Sequence, residues 1–155
     1  MRKYLLHVLI ISFVFLLTHT AQVASYAGEI EDAKEEVRKN PDDASAHNNL
    51  GLAYKKSGKY KEAIESYKQA IRIDPDHVLA HNNLGLAYYE LGKYEEAIES
   101  FKQAVRLDPD AAVAHLNLGL VYVFLNDRAS ALEQYKILKN LDTELANILF
   151  NQIYK

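Results

Sequence analysis

The chain has 155 residues, which is the size of one ordinary domain. It contains no cysteine, and this excludes disulfides, thiolate metal sites and cysteine nucleophiles. Without Arg2 and Lys3, which precede all other charged residues, 16 basic and 21 acidic residues remain, and this net charge of −5 argues against a basic surface for nucleic acid.

The N-terminus has the composition of an export segment. Arg2 and Lys3 are followed by a run over positions 4–17 that is apolar except for His7 and Ser12. Small and polar residues then extend to residue 27, which is the order found in secretory signal peptides. The segment is therefore predicted to direct the rest of the chain across a membrane.

Cleavage of this segment is expected between Ala27 and Gly28, because Ser25-Tyr26-Ala27 fits the small-x-small rule. Cleavage after Ser25 is a second option. The alternative is a short uncleaved anchor, although a spanning helix needs about 20 apolar residues. In either case the basic end stays in the cytoplasm and the remainder is exported.

Residues 29–39 are predicted to form a leading helix. Asn40-Pro41 ends it, because the residue before a proline avoids the helical region. Ala33 and Val37 are expected to face the next part of the chain.

An internal repeat follows the leading helix. Residues 47–80 and 81–114 are identical at 24 of 34 positions. Three further sets of residues recur every 34 positions. They are the prolines Pro41, Pro75 and Pro109, the glycines Gly51, Gly85 and Gly119, and the histidines His47, His81 and His115. Such self-similarity predicts a solenoid in which each repeat buries its faces against its neighbours.

Each repeat is predicted to contain two closely packed helices. Gly51 lies inside the first helix, where glycine costs about 1 kcal/mol relative to alanine, so a neighbour is expected to press against its Cα. Ala63 and Ala70 should leave room on the second helix. The first helices are expected to end at the left-handed residues Gly58, Gly92 and Asn126, and the second helices at Asp74-Pro75 and Asp108-Pro109.

The last predicted element is a capping helix over residues 144–154. Leu145, Ile148, Leu149 and Ile153 recur in it at helical spacing, with polar residues between them. Thr143 stands where a repeat would have its proline, which fits a helix outside the repeats.

These positions resemble the tetratricopeptide repeat (TPR) family, whose repeats carry Leu-Gly, tyrosine, alanine, an aromatic residue and proline at fixed spacing. The matching residues are His47, Leu50, Gly51, Tyr54, Ala63, Tyr67 and Pro75, then His81, Leu84, Gly85, Tyr88, Ala97, Phe101 and Pro109, then His115, Leu118, Gly119, Tyr122, Ala131 and Tyr135. The resemblance covers about residues 44–143. It implies an all-α, right-handed α-solenoid of three helix-turn-helix repeats with flanking helices.

The expected organisation follows from these elements. It comprises a signal peptide or short membrane anchor (1–27), a leading helix (28–43), three repeats (44–77, 78–111 and 112–143) and a C-terminal capping helix (144–155).

The resemblance also implies a binding groove, because the first helices of TPR proteins line a concave surface. Asn49, Asn83 and Asn117 directly precede Leu-Gly and resemble the asparagine ladder of peptide-binding members. A side-chain amide both donates and accepts, so it can bond an extended backbone of any sequence. The predicted groove residues are Asn48, Asn49, Asn82, Asn83, Asn117, Tyr89, Leu116, Val123 and Phe124. The apolar members near repeat 3 could instead be covered by the capping helix.

Other chemistry is not expected. The three repeat histidines would lie about 10 Å apart, which is too far for imidazoles to share one metal ion. The serines lack the strand-turn-helix context of a nucleophile, and no glycine-rich phosphate loop is present. Heat-shock cochaperone members grip a carboxylate with lysine and arginine, but the corresponding positions here carry Asn48, Leu52, Val113 and Asn117.

The expected function is that of an exported adapter, periplasmic or secreted, that binds an extended or helical segment of another protein. No enzyme activity, cofactor or nucleic-acid partner is expected, and a membrane would be contacted only through an uncleaved N-terminus. The alternatives are a self-associating scaffold, which would be a homo-oligomer, and a membrane-anchored subunit of an envelope complex.

Overall fold

The computed structural model describes residues 25–155, which form a row of helices with short connections. The described part of the first helix, α1, covers residues 25–39. It is followed by α2 (Ala44–Lys56), α3 (Tyr60–Ile73), α4 (Val78–Glu90), α5 (Tyr94–Leu107), α6 (Ala112–Phe124), α7 (Arg128–Leu141) and α8 (Thr143–Ile153). The pairs α2–α3, α4–α5 and α6–α7 follow one another at the spacing of the sequence repeat, so the predicted all-α repeat architecture is confirmed.

The turn inside each pair is closed by a residue in the left-handed conformation. The φ angles of Gly58, Gly92 and Asn126 are 75°, 72° and 61°. Glycine and asparagine tolerate this region, which is strained for other residues. The three left-handed positions predicted from the sequence are therefore confirmed.

The connection between successive pairs depends on the repeated histidine. The Nε2 atoms of His47, His81 and His115 lie 2.9, 2.9 and 3.0 Å from the carbonyl oxygens of Pro41, Pro75 and Pro109, respectively. Because a carbonyl only accepts, Nε2 donates in each case. These bonds hold the connecting loop against the start of the next pair and explain why histidine recurs in every repeat.

The interior of each pair is built on small residues, as predicted. Ala63, Ala97 and Ala131 are fully buried, whereas Glu62 and Glu96 are exposed. A Cβ atom on Gly51 would lie 2.5 Å from the Tyr67 ring. On Gly85 it would lie 2.7 Å from the ring of Phe101, the equivalent residue. The bare Cα atoms thus receive the aromatic ring of the paired helix.

In the third pair, the side chain that lies closest to the glycine comes from α8 and not from the paired helix α7. A Cβ atom on Gly119 would lie 2.5 Å from Leu149 Cδ2 of α8. Leu149 belongs to a buried cluster with Leu138 and Ala146, so α8 closes this end of the core. Ile148 is 47% exposed, because the buried face of α8 runs through Ala146 and Leu149.

The opposite end is covered by α1. Ile30 is buried at 4% exposure, and Ala33 and Val37 are half-buried. Glu29 forms an ion pair with Lys56 of α2 at 2.8 Å. Ser25 to Ala27, which contain the predicted cleavage motif, are the first described residues of the same helix; the rest of the predicted export segment lies outside the described residues.

The pairs stack so that one helix of each faces inward. The first helix α4 contacts both α2 and α6, whereas the second helices α3, α5 and α7 do not contact one another in the described structure. The row is therefore concave along α2, α4 and α6. We call this surface the groove. Within residues 25–155, no helix has the length and apolar character needed to span a membrane.

Candidate functional site

Two asparagine pairs cross the groove between neighbouring helices. Asn83 Nδ2 donates to Asn48 Oδ1 at 3.0 Å, and Asn117 Nδ2 donates to Asn82 Oδ1 at 2.9 Å. The accepting residues, Asn48 and Asn82, are buried at 7% and 8% exposure. Each bond links the first helices of successive repeats, so these amides fix the spacing of the groove helices.

The predicted asparagine ladder therefore consists of unlike members. The side chain of Asn49 is exposed and has no hydrogen-bond partner in the described structure. Asn83 and Asn117 are half-buried and use one donor between repeats, which leaves their Oδ1 atoms and second N–H groups for a ligand. Replacing Asn83 or Asn117 would therefore also remove a hydrogen bond between repeats.

Apolar surface lines the groove at repeats 2 and 3. Leu79 of α4 is 62% exposed and Val113 of α6 is 56% exposed. Together with Leu145 of α8 they border a cleft of about 430 Å³, here called the N-terminal cleft because it lies where α4, α6 and α8 begin. A smaller hollow of about 110 Å³ lies further along the same helices, between Leu86 and Leu120.

Three aromatic rings meet at the other end of α4 and α6. The ring centroids of Tyr89 and Phe124 are 5.9 Å apart, and Tyr94 lies 5.6 Å from Tyr89 and 4.7 Å from Phe124. Phe124 remains 52% exposed. Aromatic residues on a half-exposed surface are common anchors at interfaces.

Leu116 and Val123 occupy a different environment from the other predicted groove residues. Both pack against the buried cluster of Leu138, Ala146 and Leu149. The capping helix α8 therefore covers part of α6, the first helix of repeat 3. This was the alternative left open by the sequence. Phe124 lies outside that contact.

The groove is more polar at α2. Burial lowers the pKa of the Lys55 ammonium group, and the Glu90 carboxylate opposes part of this shift. Burial, followed by the charge and hydrogen bonding of Glu90, raises the pKa of Tyr60. A cation and a carboxylate thus occupy this end, in place of the apolar surface of repeats 2 and 3.

The repeat histidines are occupied by structural contacts. Besides the proline carbonyls, His115 Nδ1 lies 2.8 Å from Gln134 Oε1. No group of three or more histidine, aspartate or glutamate residues in the described part is arranged to hold a metal ion.

Comparison with protein families decides the classification. Family models for TPR repeats match residues 51–92 and 85–126, and a further tetratricopeptide repeat model matches residues 33–65. The chain belongs to the tetratricopeptide repeat family. TPR domains are in general protein-interaction folds rather than enzymes, and the resemblance noted in the sequence is confirmed.

Solved structures of TPR proteins are similar over most of the chain. The second TPR domain of the human RPAP3 protein, in complex with the HSP70 peptide SGPTIEEVD, is 30% identical (TM-score 0.67) over 72% of this chain and 95% of that one. The second TPR of Spaghetti (RPAP3), bound to the HSP90 peptide SRMEEVD, is 31% identical (TM-score 0.63) over 69% and 99%.

A third structure shares the fold at lower identity. TTC0263, a thermophilic TPR protein of Thermus thermophilus, is 24% identical (TM-score 0.74) over 87% of this chain and 76% of that one. A search of curated proteins finds no match.

Sequence reasoning missed part of the TPR groove. Leu145 and the carboxylates of Asp108 and Asp142 border the N-terminal cleft but were not among the predicted residues. Leu145 and Asp142 reach the cleft through the packing of α8 on α6, and a repeat pattern that ends before α8 contains no signal for that packing. Leu79 and Val113 carry a signal in the sequence, since they precede each Leu-Gly by the same number of residues.

Proposed function

We propose that this TPR protein is an adapter that binds an extended or helical segment of a partner protein in the groove of α2, α4 and α6. The observation that carries the proposal is the exposure of Leu79, Val113 and Phe124 on an inner surface, beside amides with unused hydrogen-bonding groups. Exposed apolar surface of this kind usually marks an interaction site. The peptide complexes of the similar TPR domains support the same use of the fold.

The groove offers two kinds of contact to such a segment. Asn49, Asn83 and Asn117 can bond its backbone whatever its sequence, at about 0.5–1.5 kcal/mol for each bond. The apolar cleft and the aromatic cluster can bury its side chains, and this contribution depends on the sequence. The chemistry needs no cofactor and no catalytic group.

The double variant Leu79→Ala with Val113→Ala tests this proposal. Each substitution removes part of the apolar surface in the cleft, and together they should weaken binding by about tenfold or more. The ligands are peptides of about 12 residues, which extend over about 40 Å, selected from a random display library against residues 28–155. Binding is measured by calorimetry.

The matched control is Ile73→Ala with Ile137→Ala. These residues are 37% and 38% exposed on the outer helices α3 and α7, and their loss should leave affinity unchanged. If no peptide is selected, or if the outer variant weakens binding as much as the inner one, the groove is not the binding surface.

We also propose that the adapter works outside the cytoplasm. The support is the order of Arg2 and Lys3, the apolar residues 4–17 and the small residues before Gly28. N-terminal sequencing of protein expressed in a bacterial host should find Gly28 first. A chain that keeps Met1 and needs detergent for extraction would indicate the membrane-anchored alternative.

A self-associating scaffold is the second candidate function. The observation that favours it is the exposure of Ile148 and Phe150 on α8 and of Tyr154 directly after it, at 47%, 40% and 53%. These residues lie at the end of the solenoid, where a further copy could pack.

A further inference from the structure

The N-terminal cleft is bordered by three helices that begin side by side. Leu79 of α4, Val113 of α6 and Leu145 of α8 form its apolar walls, and its volume is about 430 Å³. That volume accommodates a large aliphatic side chain with the backbone attached to it. These three residues belong to repeat 2, repeat 3 and the capping helix, so the cleft forms only where those three parts of the chain pack together.

One buried amide in this cleft has unused donors. Asn82 lines the cleft and is 8% exposed. Its Oδ1 accepts from Asn117, while its Nδ2 has no partner in the described structure. Among the described residues, the side-chain N or O atom that is both closed off from solvent and without a partner is Tyr67 Oη. Asn82 Nδ2 also has no partner among these residues, so it must be accessible from the cleft. A carbonyl oxygen in the cleft would accept a hydrogen bond from it in place of water.

Two carboxylates at the rim each have a free oxygen. Asp108 Oδ1 accepts from the Asp110 N–H at 3.0 Å, and Asp142 Oδ1 accepts from Glu144 and Leu145 at 2.9 and 3.0 Å. The Oδ2 atoms have no hydrogen-bond or ion-pair partner in the described structure. No lysine or arginine is among the described residues that line the cleft. The rim is therefore negative without a counter-charge.

We infer that the N-terminal cleft binds a partner segment in which a large aliphatic residue is next to a lysine or arginine. The aliphatic side chain fills the space between Leu79 and Val113, its backbone carbonyl accepts from Asn82 Nδ2, and the basic side chain reaches the free oxygens of Asp108 and Asp142. This inference rests on the proposed adapter function and names the partner's chemistry. The preference is opposite in charge to the acidic peptides held by the similar TPR domains.

The experiment is a peptide-display selection against three proteins that cover residues 28–155. One is unchanged, one carries Asp108→Asn with Asp142→Asn, and one carries Glu62→Gln with Glu133→Gln. Asparagine caps the start of a helix about as well as aspartate, as needed at Asp142. It also bonds the backbone two residues on, as Asp108 does, so the first pair removes charge and keeps the turns. Glu62 and Glu133 are exposed on the outer helices α3 and α7, so the second pair makes the same charge change far from the cleft.

The unchanged protein and the outer variant should both select peptides enriched in aliphatic–basic neighbours, and the rim variant should lose that enrichment. For one selected peptide, the rim variant should bind about three- to tenfold more weakly, as expected for two solvent-exposed ion pairs. Raising NaCl from about 0.1 to about 1 M shortens the Debye length from about 10 to about 3 Å and should reduce the difference.

Three outcomes would overturn the inference. Selected peptides without basic enrichment, or with acidic enrichment, would remove the proposed partner chemistry and leave the adapter function intact. Basic enrichment that survives in the rim variant would place the recognition elsewhere on the chain. Failure to select any peptide would instead count against the adapter function itself, and the inference would fall with it.

Discussion

At the scale of single residues, the hydroxyl group of Tyr67 is a buried polar group without a hydrogen-bond partner. Its ring fills the space beside Gly51, yet its Oη is buried without a hydrogen-bond partner. Phe101 fills the same space beside Gly85 with no hydroxyl group. Because a buried unsatisfied polar group costs about 1–3 kcal/mol, Tyr67→Phe should raise the free energy of unfolding by about 1 kcal/mol. The reverse change, Phe101→Tyr, should lower it. Urea unfolding of both variants measures this, and a less stable Tyr67→Phe variant would show that the hydroxyl contributes to folding.

The same residue predicts a pH dependence. Burial raises the pKa of the Tyr67 phenol above its ordinary value of about 10. Above that pH the unfolded chain binds fewer protons than the folded one, so stability falls as pH rises. Tyr67→Phe removes this contribution, and its stability advantage should therefore grow between about pH 9 and pH 11. An advantage that stays constant would indicate that the phenol titrates normally.

Residue roles were predictable from the sequence where the constraint is local. The left-handed Gly58 and Asn126, and the alanines between paired helices, are required by geometry within a single repeat. The bond from Asn83 to Asn48 was not predictable, because it depends on the rotation between repeats. The Asp108 and Asp142 carboxylates were overlooked for the same reason, since stacking brings them to one cleft.

At the scale of elements, α8 completes the core of the third repeat. Leu149 is fully buried and supplies to Gly119 the contact that Tyr67 and Phe101 supply in repeats 1 and 2. Leu149→Ala should lower the free energy of unfolding by about 2–5 kcal/mol through the cavity it leaves. Ile148→Ala, one position away at 47% exposure, should change it by less than about 0.5 kcal/mol. Equal losses, measured by urea unfolding, would mean that α8 packs by its other face.

The sequence did not indicate which face of α8 is buried. Ile148 and Leu149 both fit a helical period, and a helix of 11 residues has too few turns to decide between adjacent faces. The small side chain of Ala146 determines which face is buried. Ala146 is 1% exposed and lets α8 approach the cluster around Leu138. The repeat helices did not present this ambiguity, since three aligned copies fix their phase together.

At the scale of the whole molecule, the two candidate functions differ in oligomeric state. A stable interface typically buries about 800 Å² on each partner. The aromatic residues at the end of the solenoid are partly covered already: the Phe150 ring lies 5.4 Å from Tyr135 and 4.5 Å from Tyr154, and Arg128 lies 4.3 Å from the Tyr154 ring. The exposed apolar surface is thus broken up by internal contacts and by a cation.

We therefore expect residues 28–155 to sediment as a monomer in analytical ultracentrifugation at micromolar concentration. If the protein is an adapter, the variant Phe150→Ser with Tyr154→Ser should also sediment as a monomer, because the groove of α2, α4 and α6 does not include these residues. The scaffold predicts a concentration-dependent dimer or larger assembly that this variant disrupts, with peptide binding in the groove unaffected. An assembly that instead dissociates on Leu79→Ala with Val113→Ala would mean that a second copy occupies the groove, because those two side chains are exposed in the single chain and would be buried only by a partner.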